Sequence, residues 1–305
     1  MSPIHLKYLP AITLLFFGLF FGSVMRAQGG LPYNHTEDVV YGRKFGMALT
    51  LDILEPLNKN GAAVFWVVSG GYFSNHADIN PAIFRPWIER GYTVFAVVHG
   101  SQPRFDVPEI IEDVHRAVRF VRHNAERWNV APTKFAISGS SAGGHLALTI
   151  GTQGASGNPD AEDPIDRESS AVQAVACFFP PTDMLNWSKP NQDWMQFKAT
   201  RQFAAAFGHK PMNRKVRREL GLKISPINFV TTSTAPTLII HGTEDKLVPI
   251  YQSQQFGQTC TKLGVPFRLV IKLGEDHGYR GWEEDISVFA DWFDEHVIEA
   301  AADER

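Results

Sequence analysis

"AISGSSAGGHLAL", residues 136–148, sets two adjacent serines among three glycines, and its reading decides the fold. The residues just before and within it, "KFAIS" (134–138), are short, apolar and strand-like. Those that follow, "AGGHLALTIG" (142–151), have the composition of a helix, so the serines sit on the turn between a buried strand and a helix. Only Ser141 has glycine on both sides at the spacing Gly-x-Ser-x-Gly, with Gly139 and Gly143. Ser140 would need glycine where Ser138 and Ala142 stand. A sharp strand-to-helix turn crowds the backbone against its neighbours, leaves no room for Cβ atoms at the flanking positions and pushes one hydroxyl outward. The N–H groups of the helix N-terminus then face that hydroxyl. Gly/Ser turns are common in proteins; the strand before this one and the helix after it make Ser141 the candidate nucleophile.

Working outward, apolar runs alternate with helical stretches. "VVYG" (39–42), "ALTLDIL" (48–54), "AVFWVVS" (63–69), "YTVFAVVH" (92–99), "KFAIS", "VQAVACFFP" (172–180), "PTLIIHG" (236–242) and "FRLVIK" (267–272) read as strands, most of them buried on both faces. "PAIFRPWIERG", "PEIIEDVHRAVRFVRHNAERW", "IYQSQQFGQTCTKLG" and the terminal "WEEDISVFADWFDEHVIEAA" carry helical periodicity, with Pro near several starts and Gly beyond several ends. The alternation predicts an α/β protein with a mostly parallel central sheet flanked by helices. The first two runs have no helix between them and predict an antiparallel edge. Residues 181–233, after the sixth strand of this series, interrupt the rhythm with some fifty residues rich in Trp, Phe, Asn and Lys; an insertion of that size reads as a lid. The small, acidic segment 154–170 reads as a surface loop.

A serine hydroxyl is a poor nucleophile until a base removes its proton, so Ser141 requires a histidine and a carboxylate at other strand ends. For a nucleophile on such a turn the chain order is Ser, acid, His. Beyond the helix after Ser141 lie His209, His241, His277 and His296. His277, in "LGEDHGYRGW", directly follows the last strand and is the choice; His209 lies in the insertion, His241 at a strand end and His296 late in the terminal helix. For the acid, "HGTEDKLVP" (241–249) puts Asp245 in the loop leaving the preceding strand, with Glu244 and Asp183 as rivals that would serve equally well as turn residues. "VVSGGYF" (67–73) brings glycines to the end of another strand. The N–H groups of Gly71 and Tyr72, with that of Ala142 beside the nucleophile, are the candidate oxyanion donors, each worth ~3 kcal/mol of barrier. The bland alternative is that the glycine pair only closes a loop.

Composition narrows the rest. The chain has 305 residues with 29 basic and 32 acidic side chains, 44% hydrophobic and 20% charged, enough for one large core. No basic patch suggests nucleic acid. No Cys/His spacing matches a zinc site and no glycine pattern matches a nucleotide loop, so neither metal nor other cofactor is expected. The two cysteines, Cys177 and Cys260, are expected as buried free thiols. Residues 1–27 differ from the remainder: Lys7 precedes an apolar run from Ala11 to Val24, and Ala27 is a small residue at a plausible cleavage point. The run is short of the roughly 20 residues of a spanning helix, so a signal for secretion or periplasmic export is expected rather than an anchor. Cleavage would leave residues 28–305 as a single domain with 27 basic and 32 acidic residues and no membrane attachment.

Together "VVSGGYF", "GSSAGG", "SPINFV" (225–230), "IIHGTEDKLVP" and "EDHGY" resemble the secreted bacterial α/β-hydrolase esterases over roughly residues 38–298. Within that fold the chain is most similar to the feruloyl-esterase-like and hormone-sensitive-lipase-like group, in which a His-Gly-Gly loop forms the oxyanion hole and the triad positions match Ser141, Asp245 and His277. "SGGYF" is also similar to the His-Gly-Gly-Tyr-Trp loop of kynurenine formamidases. The resemblance implies ester hydrolysis through an acyl-enzyme, with a small or sugar-linked ester as substrate. Two departures stand out: Ser69 takes the place of the usual His, and "GEDH" replaces Gly-x-Gly-His, which sets Asp276 beside His277. The triad does not distinguish ester from amide, so an amidase or peptidase, or a silent hydrolase-like binding protein, remains the alternative at this level.

Overall fold

The computed structural model describes residues 24–28, 31–208 and 213–300. Residues 1–23, which hold most of the expected export signal, and His209 lie outside the described residues.

Nine strands form one sheet among the described residues: β1 (Val24–Gln28), β2 (Leu31–Lys44), β3 (Met47–Pro56), β4 (Ala63–Val68), β5 (Thr93–Val98), β6 (Phe135–Ser140), β7 (Ala174–Phe178), β8 (Thr237–Gly242) and β9 (Phe267–Lys272). Their order is β1-β2-β3-β5-β4-β6-β7-β8-β9. β1, β2 and β3 pair antiparallel as a meander, and β3 joins β5 antiparallel; every pair from β5 to β9 is parallel. The antiparallel edge expected from the missing helix is thus present, and β1 extends it by one strand that the sequence pattern did not reveal.

The continuous apolar runs have a simple cause. Alternate residues of each central strand feed two separate cores: in β4, Phe65 and Val67 face one, while Val64, Trp66 and Val68 face the other. The first core is covered by α2 (Val107–His123), α3 (Ala142–Gln153) and α5 (Tyr251–Leu263), the second by α1 (Arg85–Glu89) and α6 (Ile286–Phe293). Covered on both faces, such strands have no solvent side on which polar residues would be favoured. β9 is the exposed edge, and Arg268 and Lys272 on it discourage pairing with another chain.

Local chemistry sets the helix ends. Asp106 and Glu109 form a reciprocal capping box at the start of α2, with Pro108 in its first turn. Residues 81–89, one helical stretch by periodicity, split into a 3-10 turn (Pro81–Phe84) and α1, because Pro86 has no N–H to continue the ladder. The insertion between β7 and β8 carries regular structure of its own. It holds a ten-residue 3-10 helix (Lys198–Phe207) and α4 (Arg214–Ile224), and Trp194, Phe207 and Ile224 join the first core.

Candidate active site

Ser141 stands between the end of β6 and the start of α3 with φ 54° and ψ −117°, a left-handed conformation that a non-glycine residue rarely adopts. The turn is held from both sides: the Ser141 N–H donates to the Phe178 carbonyl at 3.0 Å, and its own carbonyl accepts the His145 N–H at 2.9 Å. A Cβ at position 139 would lie 2.5 Å from the Gly143 carbonyl carbon, and one at 143 would lie 2.5 Å from the Val67 carbonyl oxygen. The two glycines of the motif are therefore required by contact between β6, α3 and β4, and the serine between them bears the strain.

The loops after β8 and β9 bring Asp245 and His277 to that serine. The Ser141 hydroxyl lies 2.9 Å from His277 Nε2, and His277 Nδ1 lies 2.7 Å from Asp245 Oδ2. With Nδ1–H directed at the carboxylate, Nε2 is left to accept the serine proton. The other carboxylate oxygen, Oδ1, accepts the N–H groups of Leu247 and Val248 at 2.9 and 2.8 Å. The Asp245 side chain is fully buried, and burial alone would raise its pKa. Hydrogen bonds from His241 and His277 outweigh that cost and hold it at about 2. The Phe179 ring packs on His277 with centroids 4.5 Å apart.

The rivals have other employment. Asp183 accepts the N–H groups of Leu185 and Asn186 and caps the first turn of the insertion. Glu244 is exposed, and its N–H bonds the Glu275 carbonyl. Asp276 Oδ1 accepts the backbone N–H groups of His277 and Lys246 at 2.7 and 3.1 Å, which ties the two site loops together and keeps that carboxylate off the imidazole. His241, by chain order a competing base, is not directed at Ser141. It instead shares its Nε2–H between the Val248 carbonyl (2.8 Å) and Asp245 Oδ2 (3.2 Å) and accepts the Ser253 hydroxyl at Nδ1. It is a second, fully buried support for the carboxylate.

Gly71 and Tyr72, both with positive φ (54° and 66°), turn the chain over the nucleophile, and no group among the described residues takes their N–H or that of Ala142. The loop is held without the usual histidine. Gln102 donates its side-chain amide to the Gly71 carbonyl at 2.5 Å and its backbone N–H to the Tyr72 carbonyl at 3.1 Å. The buried Tyr72 hydroxyl lies 3.3 Å from His145 Nδ1, whose Nε2–H donates to the Ile224 carbonyl at 2.6 Å. Burial lowers the His145 pKa to about 4, so its ring stays neutral in this chain of bonds. Neither Gln102 nor His145 carries a sequence signal, since their partners are 31 and 79 residues away.

Ser141, Gly71, Tyr72 and Ala142 form one wall of a small pocket of about 30 Å³. The insertion supplies Trp187, Trp194, Phe203 and Phe207 to its lining, and the loop after β8 adds Leu247 and Val248. Far from Ser141 in sequence, the fold also gathers two groups with spacing that would suit a metal ion: His35, Glu37 and Asp52, and Asp38, Asp52 and His76. They join β2, β3 and the turn at His76, positions that no Cys/His spacing rule connects.

A strained serine between β6 and α3, with acid and base on later strand ends of a mostly parallel sheet, defines an α/β hydrolase. Within that class the chain belongs to the BD-FAE family, whose model matches residues 51–260. It is 28% identical over 192 residues to the esterase LipQ of Mycobacterium tuberculosis, covering 62% of this chain and 43% of that one. It is 26% identical over 247 residues to an acetylxylan esterase of Xylanibacter ruminicola, covering 79% and 44%. The chain thus spans less than half the length of these two relatives. A truncated carbohydrate esterase from gut microbiota superposes with a TM-score of 0.70 at 28% identity, over 85% of this chain and 95% of that one.

Proposed function

We propose that the protein is an exported serine esterase that cleaves short acyl groups from small or sugar-linked alcohols. One observation carries the reading: the unbroken hydrogen-bond chain from the buried Asp245 through His277 to the strained Ser141, opening on a pocket walled by aromatic side chains. His277 removes the Ser141 proton as Oγ attacks the ester carbonyl. The oxyanion that forms is met by the N–H groups of Gly71, Tyr72 and Ala142. His277 then protonates the departing alkoxide, and the acyl-enzyme is hydrolysed by water activated in the same way. Asp245 remains ionised throughout and holds the imidazole in the productive tautomer.

The insertion acts as a lid whose Trp187, Trp194, Phe203 and Phe207 bound the acyl side. The short acyl preference rests on that wall, and the sugar-linked alcohol on similarity to the acetylxylan and carbohydrate esterases. Export rests on residues 1–27. A fluorophosphonate probe is expected to label the protein and not its Ser141→Ala variant. A series of p-nitrophenyl esters from acetate to dodecanoate, run beside matched anilides, is expected to peak at acetate or butyrate. Absence of labelling defeats the enzyme reading, faster anilide cleavage makes the protein an amidase, and an optimum at long chains removes the lid from the acyl side.

A further inference from the structure

Outside the catalytic pocket, β2, β3 and the turn at His76 gather His35, Glu37, Asp38 and His76 around the buried carboxylate of Asp52. Asp52 is 1% exposed; its Oδ2 accepts the His35 Nε2–H at 2.7 Å and its Oδ1 the Asp38 N–H at 3.0 Å. A charge withdrawn that far from water is paired or holds a metal. Among the described residues, the ion-pair partners of Asp52 and Asp38 are histidines, and no lysine or arginine joins them.

In this cluster two histidine nitrogens face carboxylates across gaps that no hydrogen bond spans. His35 is 4% exposed, and with its Nε2–H given to Asp52 the neutral ring carries its lone pair at Nδ1. That nitrogen is buried and has no hydrogen-bond partner among the described residues, with Glu37 Oε1 3.7 Å from it. His76 Nδ1 stands 3.3 Å from Asp52 Oδ1 and 3.7 Å from Asp38 Oδ1. All three separations exceed the roughly 2.7–3.2 Å of an N–H···O bond. They match two ligands of one tetrahedral zinc ion, which stand about 3.4 Å apart when each lies ~2.1 Å from the metal. Within the set His35, Glu37 and Asp52, and again within Asp38, Asp52 and His76, one donor atom per residue lies within 4.8 Å of the other two.

We infer that this cluster binds a divalent transition-metal ion of the zinc class, with Asp52 as its buried anchor and the pairs His76–Asp38 and His35–Glu37 as the flanks that supply further ligands. An imidazole lone pair opposed to a carboxylate is repulsive; a cation between them makes both contacts attractive. Imidazole beside carboxylate suits zinc and similar ions, whereas calcium and magnesium take oxygen ligands. The His35–Asp52 bond is the carboxylate–histidine contact that orients a metal-bound ring. His76 lies four residues beyond Tyr72, so the ion fastens the strand pair β2–β3 to the segment that leaves the turn at Gly71 and Tyr72.

Calorimetry tests the site without reference to catalysis. The full chain, free of any affinity tag and stripped of metal by a chelator, is titrated with zinc chloride, and in separate arms with calcium chloride and magnesium chloride. Saturable zinc binding with a Kd below about 10 µM is expected, with calcium and magnesium weaker by at least about a hundredfold. His76→Gln and Glu37→Gln, at side chains each 43% exposed, should fold and remove one flank apiece. In at least one of them the zinc Kd should rise by about tenfold or more, and the variant affected places the ion on its flank. His123→Gln breaks a histidine–glutamate pair elsewhere on the surface and should leave the Kd unchanged. Zinc at about 100 µM should also raise Tm by at least about 2 °C, and the rise should shrink in the variant that loses binding. No saturable zinc binding, an equal loss in His123→Gln, a Kd untouched by both cluster variants, or calcium bound as tightly as zinc would overturn the site.

Discussion

His277 and His35 each sit 2.7 Å from an aspartate whose side chain is almost wholly out of solvent, Asp245 and Asp52. The two pairs differ in what the far side of the ring meets. His277 Nε2 faces a serine hydroxyl in a pocket, and its side chain is 17% exposed. His35 Nδ1 is buried without a hydrogen-bond partner among the described residues, with Glu37 3.7 Å away. The carboxylates also differ. Asp245 is fixed by two backbone N–H groups of its own loop, whereas Asp52 receives the N–H of Asp38 and the ring of His76 from separate segments. The first arrangement aims a base at one atom; the second braces β2, β3 and the loop that leaves the oxyanion turn. A histidine on a buried aspartate is thus not evidence of catalysis until the other ring nitrogen has a substrate-facing partner.

Breaking the serine end has the largest expected effect. Ser141→Ala and His277→Ala should each lower kcat by about 10⁶ with the fold retained by circular dichroism, and the double variant should lose no more, because the residues act as a unit. Additive losses would separate them. Next come the two aspartates. Asp245→Asn should cost about 10⁴ in kcat through a misoriented imidazole, and Asp183→Asn far less. Asp52→Asn should instead lower stability by ~1–3 kcal/mol in denaturant melts, with kcat/KM little changed. If Asp52→Asn proves as inactive as Asp245→Asn, the distinction between base and brace is wrong.

Smaller effects sharpen the picture. Phe203 lies so close to the oxyanion turn that a Cβ on Gly71 would meet its ring at 2.4 Å. Phe203→Ala should therefore deepen the acyl side and raise kcat/KM for octanoate relative to acetate by at least about tenfold. The smallest effect is on acid stability. The folded pKa of Asp245, about 2, lies below the unfolded carboxylate value, so its ionised form stabilises the fold fully above about pH 4. That contribution, about 2 kcal/mol, is lost as pH falls through 2. Asp245→Asn should flatten this part of the stability curve, and an unchanged acid limb would place the titration elsewhere.

Much of this was legible in one dimension because it depends on local chemistry. Gly139 and Gly143 mark the nucleophile turn since only glycine fits that crossing, and the apolar runs mark strands covered on both faces. The loops after β8 and β9 bring Asp245 and His277 to Ser141 because side chains at those ends converge. What was illegible depends on partners far apart in the chain. Gln102 holds the turn at Gly71 and Tyr72, and His145 joins it to the end of α4. His241 could be read as a competing base because nothing in "IIHG" shows that its ring turns inward to Asp245. The order within residues 181–233 was hidden for the same reason: Trp194 and Phe207 are core by virtue of what they pack against. The sequence by itself determined the strand-turn-helix at Ser141 and the parallel sheet, since backbone sterics and hydrophobic periodicity act over a few residues. Only the tertiary structure decided which histidine meets which carboxylate and which aromatics wall the pocket beside Ser141. It alone brings Trp66 and Trp282, 216 residues apart in the chain, side by side, because the alignment of two rings is a property of folded packing that no local pattern encodes.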